Sequence, residues 1–198
     1  DTENQQGNLF EEKTPNLSPK FLAAIQERLG YIPTPETIFY YAYAMFHSPT
    51  YRQRYAEFLK IDFPRLPLTK NKQLFTTLAT KGETLVNLHL MKSKQLNHLI
   101  TQYQGDGENQ VTQVKYSSQK KQVSINKTCH FTGIPEDIWE FKIGGYQVLD
   151  KWLKDRKKAN RNLSDEDILH YQKIVVALNN TLKTMQEIET IIPSFPIE

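Results

Sequence analysis

Cysteine occurs once in the 198 residues, at Cys129, so no disulfide can form within the chain and a disulfide-framed secreted scaffold is excluded. The five histidines (His47, His89, His98, His130 and His170) are scattered. None falls at the spacings a zinc site needs, and only Cys129 and His130 adjoin, so each His reads as structural. No apolar run approaches the eighteen or so residues of a membrane span, and the N-terminus is acidic and polar, unlike a signal peptide. The expectation is therefore a soluble cytoplasmic protein without membrane contact, and the first residue, Asp1, suggests a piece of a longer polypeptide. Catalytic signatures are missing too: there is no phosphate-binding P-loop and no glycine-rich cofactor motif.

What is present is a globular composition, 38% hydrophobic and 24% charged, large enough for one real core or two small ones. Net charge is only +3, but it is unevenly placed: residues 111–161 hold eleven Lys and Arg against five Asp and Glu. A near-neutral chain with one basic segment suggests a local anionic partner such as a phosphate backbone; the alternative is a solvated charged face.

The stretch "HSPTYRQRYAEF" (47–58) superficially resembles the catalytic loop of an amino-methylating enzyme, Asn/Asp/Ser-Pro-Pro plus an aromatic. That loop needs a rigid second proline and a preceding strand, because its backbone carbonyl must accept from the target amine. Here Thr50 replaces the proline and a helix precedes the motif. Ser48 as N-cap with Pro49 at the first helical position explains the same residues. The spacing predicts a helix from Pro49 to about Lys60, with Tyr51, Tyr55 and Phe58 on one face.

Ser18-Pro19 opens a helix ending at Gly30, and a second runs from about Thr34 to Phe46. Phe39, Tyr43 and Phe46 share a face of the second; aromatics there can stack nucleobases, but buried core is the preferred reading. Pro64 and Pro67 make residues 61–69 extended and unfit for a central strand. A helix over 71–91 turns Leu74, Leu78, Leu85 and Leu88 inward. "VTQVKY" (111–116) and "KQVSIN" (121–126) read as a hairpin, with "CHF" (129–131) and "IWEFKI" (138–143) as further strands. Gly144-Gly145 ends the last strand, and a helix follows to about Asn160. Its Lys151, Lys154, Lys158 and Arg161 form a basic stripe opposite Val148, Leu149, Trp152 and Leu153. Ser164, followed by three acidic residues, caps a long final helix. Its Ile168, Tyr171, Val175, Leu178, Leu182 and Met185 form a heptad-like seam, which packs internally or serves a partner. The fold class is α+β: helices at both ends around a small antiparallel sheet of three or four strands, closed by a long C-terminal helix.

The blocks "FYYAYAMFHSPTYRQRYAEFLKIDFPRLPLT" (39–69), "KGETLVNLHLM" (81–91), "IWEFKIGGYQVLDKWLKDRK" (138–157) and "LSDEDILHYQKIVVAL" (163–178) resemble the C-terminal specificity domain of type ISP restriction–modification enzymes. The resemblance covers residues 35 to 190, and "IGGYQVLDKWLKDRK" is its most specific element. It implies a target-recognition domain over 35–198. Residues 1–34 then form a linker and connecting helix from an upstream methyltransferase part. It implies a double-stranded DNA partner, and a parent enzyme using S-adenosylmethionine to methylate adenine and ATP to translocate. This chain itself is expected to hold neither cofactor and to perform no chemistry. Extruding the target base for such an enzyme requires a grip on the flanking duplex.

Three places suit that grip. The hairpin tip 117–121 is polar and basic, and a two-stranded ribbon fits a major groove. Gln119 is a candidate reader of an adenine edge, and Lys120 or Lys121 of a guanine edge or a phosphate, with Lys115 as a further candidate contact. Gly144 and Gly145, with Lys142 before them, permit close backbone approach and, at a helix start, offer free N–H groups. Lys151, Lys154, Lys158 and Arg161, with Arg156 and Lys157 alongside, suit phosphate contacts. The alternatives are a solvated turn, a tight bend and a solvated helix face. The rival function is a docking module that uses the seam and the aromatic helix without touching DNA.

Overall fold

A computed structural model describes residues 14–197. The expected linker therefore lies mostly outside the described residues; its last residues, 14–17, are irregular. Helices α1 (Pro19–Leu29), α2 (Pro35–His47), α3 (Pro49–Arg54) and α4 (Lys72–His89) build a helical half. The first three each start on a Ser or Thr whose side chain accepts from a backbone N–H, with Pro immediately after; α4 is capped in the same way by Asn71.

The core of this half follows the inward leucines of α4: Leu74, Leu78, Leu85 and Leu88 are all buried. Tyr41 stacks on Phe75 with ring centroids 4.5 Å apart. The backbones of α2 and α4 touch at Gly82, where an added Cβ would lie 1.8 Å from the Tyr40 carbonyl oxygen; only glycine fits that crossing. The proline-bearing segment is extended as expected, and two tyrosine hydroxyls pin it. Tyr41 donates to the Pro67 carbonyl and Tyr51 to the Arg65 carbonyl, each at 2.7 Å.

Two expectations for this half need correction. The buried side of α2 is Ile38, Tyr41, Ala44 and Met45, while Phe39 is 52% exposed and Tyr43 and Phe46 are half-buried. Spacing showed that the three aromatics share a face, but not that α4 covers the neighbouring one. The helix opened by Pro49 does not run to Lys60; it stops at Arg54 and resumes as a short 3-10 turn over Phe58–Lys60. The segment then leads straight into the pinned proline stretch, which bends the chain away.

A four-stranded antiparallel sheet follows, in the order β1 (Gln102–Gln104), β4 (His130–Thr132), β3 (Gln122–Ser124), β2 (Lys115–Ser117). Val123 pairs opposite Phe131, and both point into the core with Ile125, Leu149 and Leu153. The hairpin strands are shorter than their apolar patterns suggested. Residues 111–113 leave the ladder: the Val111 N–H goes to the Arg161 carbonyl, and those of Thr112 and Gln113 to the Ile125 carbonyl. Asn126 ends β3's run by organising the next turn, its Oδ1 accepting from the Thr128 and Cys129 N–H groups. Strand β1 is only Gln-Tyr-Gln, too short for the alternation around Tyr103 to mark a strand in the sequence.

The segment 138–143 is not one strand. Pro135 and the acidic pair after it start a helical turn, α5 (Glu136–Trp139). Only Lys142–Ile143 form strand β5, paired with β6 (Tyr146–Gln147). Helices α6 (Val148–Lys158) and α7 (Asp165–Ile191) complete the chain. A reciprocal capping box starts α7: Ser164 Oγ accepts from the Asp167 N–H, and the Asp167 carboxylate accepts from the Ser164 N–H.

Helix α7 is the spine of the molecule. Tyr171, Val175 and Leu178 are buried in the strand-half core, with Ile168 and Leu182 packed against it. One helix-length further on, Ile188 and the following Ile192 enter the helical-half core. Glu189 reaches back to α3, where it accepts from Ser48 Oγ at 2.5 Å and from the Thr50 hydroxyl. Ser48 is thus a helix cap anchored to a carboxylate, which accounts for the Ser-Pro-Thr motif without catalysis. Among the described residues, no helix is long and apolar enough to cross a membrane.

Candidate nucleic-acid interface

The basic segment is displayed on two hairpins and one helix. At the tip of β2–β3 the chain turns through residues 117–121. Lys121 takes a positive φ of 48°, and its N–H donates to the Ser118 carbonyl. Gln119, Lys120 and Lys121 are exposed, as is Lys115 at the base of β2. Tyr116 between them is half-buried, stacked on Trp139 at 4.9 Å, with its hydroxyl donating to the Ile134 carbonyl. Burial raises its pKa, reinforced by the nearby carboxylates of Glu136, Asp137 and Glu140. Acidic α5 therefore flanks the inner side of the hairpin, while the tip cations project beyond it.

Gly144 and Gly145 do not sit at a helix start. They form the two-residue loop of the β5–β6 hairpin, and Tyr146 and Gln147 intervene before α6 begins. Gly144 has φ +59°, a conformation that two-residue hairpin loops assign to glycine. An added Cβ at either glycine would meet nothing within 4 Å, so the loop is open to close approach from outside. The expected free helix N–H groups are not supplied by these two residues.

The hairpin folds onto the first turns of α6, and Lys142, Gly145, Lys151 and Lys154 line one shallow depression of about 410 Å³. Its floor is not purely cationic. Lys151 pairs with Asp155 at 2.8 Å and Lys154 with Asp150 at 2.6 Å, each one turn away on the same helix. Asp155 also raises the Lys151 pKa through that hydrogen bond. The Lys151–Asp155 pair is exposed and of the weak i,i+4 kind, whereas Asp150 is only 19% exposed.

Arg156 is differently placed: its guanidinium lies 3.2 Å from the Trp152 ring centroid and donates to the Trp152 carbonyl. Asp167, in the first turn of α7, is within 3.8 Å of it and accepts from Arg161 at 3.2 Å. Arg156 and Arg161 thus tie α6 to the start of α7. Among the described residues, no ion pair engages Lys115, Lys120, Lys121, Lys142, Lys157 or Lys158.

Sequence reasoning passed over two residues here. Tyr146 is 66% exposed, with the Lys151 ammonium 5.4 Å from its ring centroid, and Ile143 is 59% exposed. The available signal was an aromatic and a β-branched residue flanking Gly-Gly in a basic stretch. A groove also opens on the far side of Lys142, against α2 and α3, and brings in Arg52 from outside the basic segment. No group of three or more His, Cys, Asp or Glu side chains is arranged to hold a metal among the described residues.

Taken together, the fold and this surface define an α+β domain with cation-bearing hairpins projecting from a rigid core. The model of the type ISP C-terminal specificity domain matches residues 1–187, and the chain belongs to that family. Solved structures share its fold. One is the ATP-dependent type ISP restriction–modification enzyme LlaBIII bound to DNA: TM-score 0.70, 22% identity, covering 100% of this chain and 13% of that one. Another is the DrdV–DNA complex, with TM-score 0.68, 21% identity and coverage of 86% and 20%. A third is a nuclease-deletion mutant of the type ISP enzyme LlaGI with a DNA substrate mimic, at TM-score 0.61, 24% identity and coverage of 84% and 17%. The chain thus spans a fifth or less of the length of these enzymes. No curated protein sequence matches it.

Proposed function

We propose that this chain reads a DNA sequence as the C-terminal specificity part of a type ISP-like restriction–modification enzyme, and positions the duplex for adenine methylation by an upstream methyltransferase part of the same polypeptide. S-adenosylmethionine and ATP chemistry belongs, on this reading, to that upstream part. The observation that carries it is the match of the specificity-domain family along residues 1–187. The geometry is compatible with it, since within the basic segment Lys115, Lys120, Lys121, Lys142, Lys157 and Lys158 are engaged in no ion pair among the described residues. Lys120 and Lys121 at one hairpin tip, Lys142 beside the other, and Lys157 and Lys158 at the end of α6 supply phosphate and base contacts. Gln119 and the tip lysines are the base readers; Lys151 and Lys154 position the backbone; Arg156 and Arg161 chiefly hold α6 against α7. The docking-module alternative loses its main support because the α7 seam is filled by the protein's own cores.

The test is fluorescence anisotropy with mixed-sequence duplex DNA over a salt series. Lys120→Glu/Lys121→Glu and Lys151→Glu/Lys154→Glu/Lys158→Glu are measured beside the parent chain. Binding should fall linearly in log–log with salt, and each lost phosphate contact should reduce the slope by about 0.9. Binding that is insensitive to salt, or unchanged in both variants, overturns the assignment of this surface.

A further inference from the structure

Lys142 lines two depressions at once. On one side is the Gly-Gly and α6 surface; on the other is a cavity of about 320 Å³ between β5 and the helical half. The cavity's polar wall is Tyr43, His47, Arg52 and His89. Its apolar wall includes Phe46, Leu59 and Phe141. We propose that this cavity holds an unstacked nucleotide of the bound DNA, its base against the Tyr43–His47–His89 rings and its phosphate between Arg52 and Lys142. The inference rests on the DNA-reading function proposed above and names a ligand for a part of the surface that function left unassigned.

Ring geometry is the first argument. Tyr43 and His47 lie 4.5 Å apart at 32°, and His47 and His89 are 5.4 Å apart, giving a tiered set of flat surfaces against which a base can pack. Hydrogen bonds to Thr181 and to backbone hold the set in place. The Thr181 hydroxyl donates to the Ala177 carbonyl, so its oxygen accepts from His89 Nε2–H, leaving His89 Nδ1 to accept from the Tyr43 hydroxyl at 2.7 Å. His47 Nδ1 donates to the Tyr43 carbonyl, also at 2.7 Å, so its Nε2 keeps a lone pair for a base N–H.

Charge is the second. Burial lowers the His47 pKa, against its hydrogen bond to the Tyr43 carbonyl, and the Arg52 guanidinium lowers it further. Burial and the neighbouring His47 push His89 down to about 4, so both rings are neutral at pH 7. The cationic character of the cavity then resides in Arg52 and Lys142, both exposed and neither ion-paired among the described residues. Flat neutral rings beside two cations match a nucleotide, an aromatic group carrying a phosphate.

The rim is the third. Ile143, a lining residue, is 59% exposed, and in the segment that joins the lining residues Leu59 and Pro64 the side chains of Ile61 and Phe63 are 85% and 87% exposed. Apolar side chains left in water beside a cation-lined pocket have the form of wedges that enter a base step and fill the gap left by a displaced base.

The test compares a matched duplex with the same duplex carrying one central bulged nucleotide, using this chain, its Arg52→Ala and Lys142→Ala variants, and Lys20→Ala on α1 as control. The bulged duplex should bind roughly tenfold more tightly. Arg52→Ala should erase that preference while leaving matched-duplex binding in place, and Lys20→Ala should keep it. Equal affinity for the two duplexes, or a preference that survives Arg52→Ala, overturns the pocket while leaving DNA reading intact. If neither duplex binds, DNA reading by the chain alone fails. The pocket is then decided by the imidazole NMR signals of His47 and His89 with deoxynucleoside monophosphates and with inorganic phosphate. Shifts with nucleotides only support it; equal shifts with phosphate, or none with either, overturn it.

Discussion

The helical half and the strand half solve the same packing problem with different means. In the helical half, α2 and α4 approach until the Tyr40 carbonyl meets Gly82, and tyrosine hydroxyls fasten the proline segment across the outside. In the strand half the sheet is only three residues deep per strand, and loops do much of the closing. Asn126 alone donates to the carbonyls of Glu108 and Gln110 while accepting from the next turn. The first half has rigid walls and carries few of the candidate DNA contacts; the second holds its short elements firmly enough to project hairpins. Specificity surfaces on hairpins gain from this division, because a protruding ribbon is only as well aimed as the core beneath it. Helix α7 belongs to both halves, so they should stand or fall together.

The most severe way to break that comparison is to damage each core and watch the other. Phe131→Ala should cost about 3–5 kcal/mol by emptying the centre of the strand core. Gly82→Ala should cost up to about 3 kcal/mol by forcing α2 and α4 apart. The chain's two tryptophans, Trp139 and Trp152, both lie in the strand half. If α7 couples the halves, Gly82→Ala will lower the denaturation midpoint seen by tryptophan fluorescence as much as that seen by far-ultraviolet circular dichroism. A tryptophan midpoint that does not move would show two independent units.

A smaller effect sharpens the contrast through pH. Below their ordinary value of 6.5, His47 and His89 take up protons in the unfolded chain more readily than in the folded one. Stability should therefore fall as the pH drops from 6.5 towards about 4, and be fully present above 6.5. His89→Gln keeps a neutral donor and acceptor between Tyr43 and Thr181, so it should flatten that slope in urea titrations while leaving stability at pH 7 little changed. An unaltered slope would place the pH dependence elsewhere. Smallest of the three, Ser164→Ala removes one side of the α7 capping box and should cost about 1 kcal/mol in thermal unfolding. A loss well above that would mean the Asp167 contacts with Arg156 and Arg161 collapse with it.

Much of this was legible from local pattern. The Ser-Pro and Thr-Pro starts of α1, α2 and α3, the Ser164 start of α7, the inward leucines of α4 and the seam of α7 follow from rules that act within a few residues. The hairpin at 115–124 was legible because alternation and a polar turn coincide there. The misreadings share a cause. "IWEFKI" has the composition of a strand, but Pro135 with Glu136 and Asp137 starts a helical turn, and only two residues remain to pair. The Gly-Gly pair was found as a surface feature and misplaced relative to α6, because sequence does not show that Tyr146 and Gln147 pair back before the helix begins. The basic stripe holds for Lys151, Lys154 and Lys158, but α6 ends at Lys158 and Asn160 takes a positive φ, so Arg161 lies beyond the helix; the partners Asp150, Asp155 and Asp167 emerged only with the fold.

The sequence by itself determined the main helices, the central hairpin, the fold class and the location of excess positive charge, because propensity, capping and hydrophobic period are local. Tertiary structure alone decided which cations remain unengaged, which aromatics are walls and which are rims, and that Arg52, ninety residues before Lys142, shares a cavity with it. Those outcomes depend on which faces α4 and α7 cover, and long-range packing of that kind leaves no periodic trace in the chain.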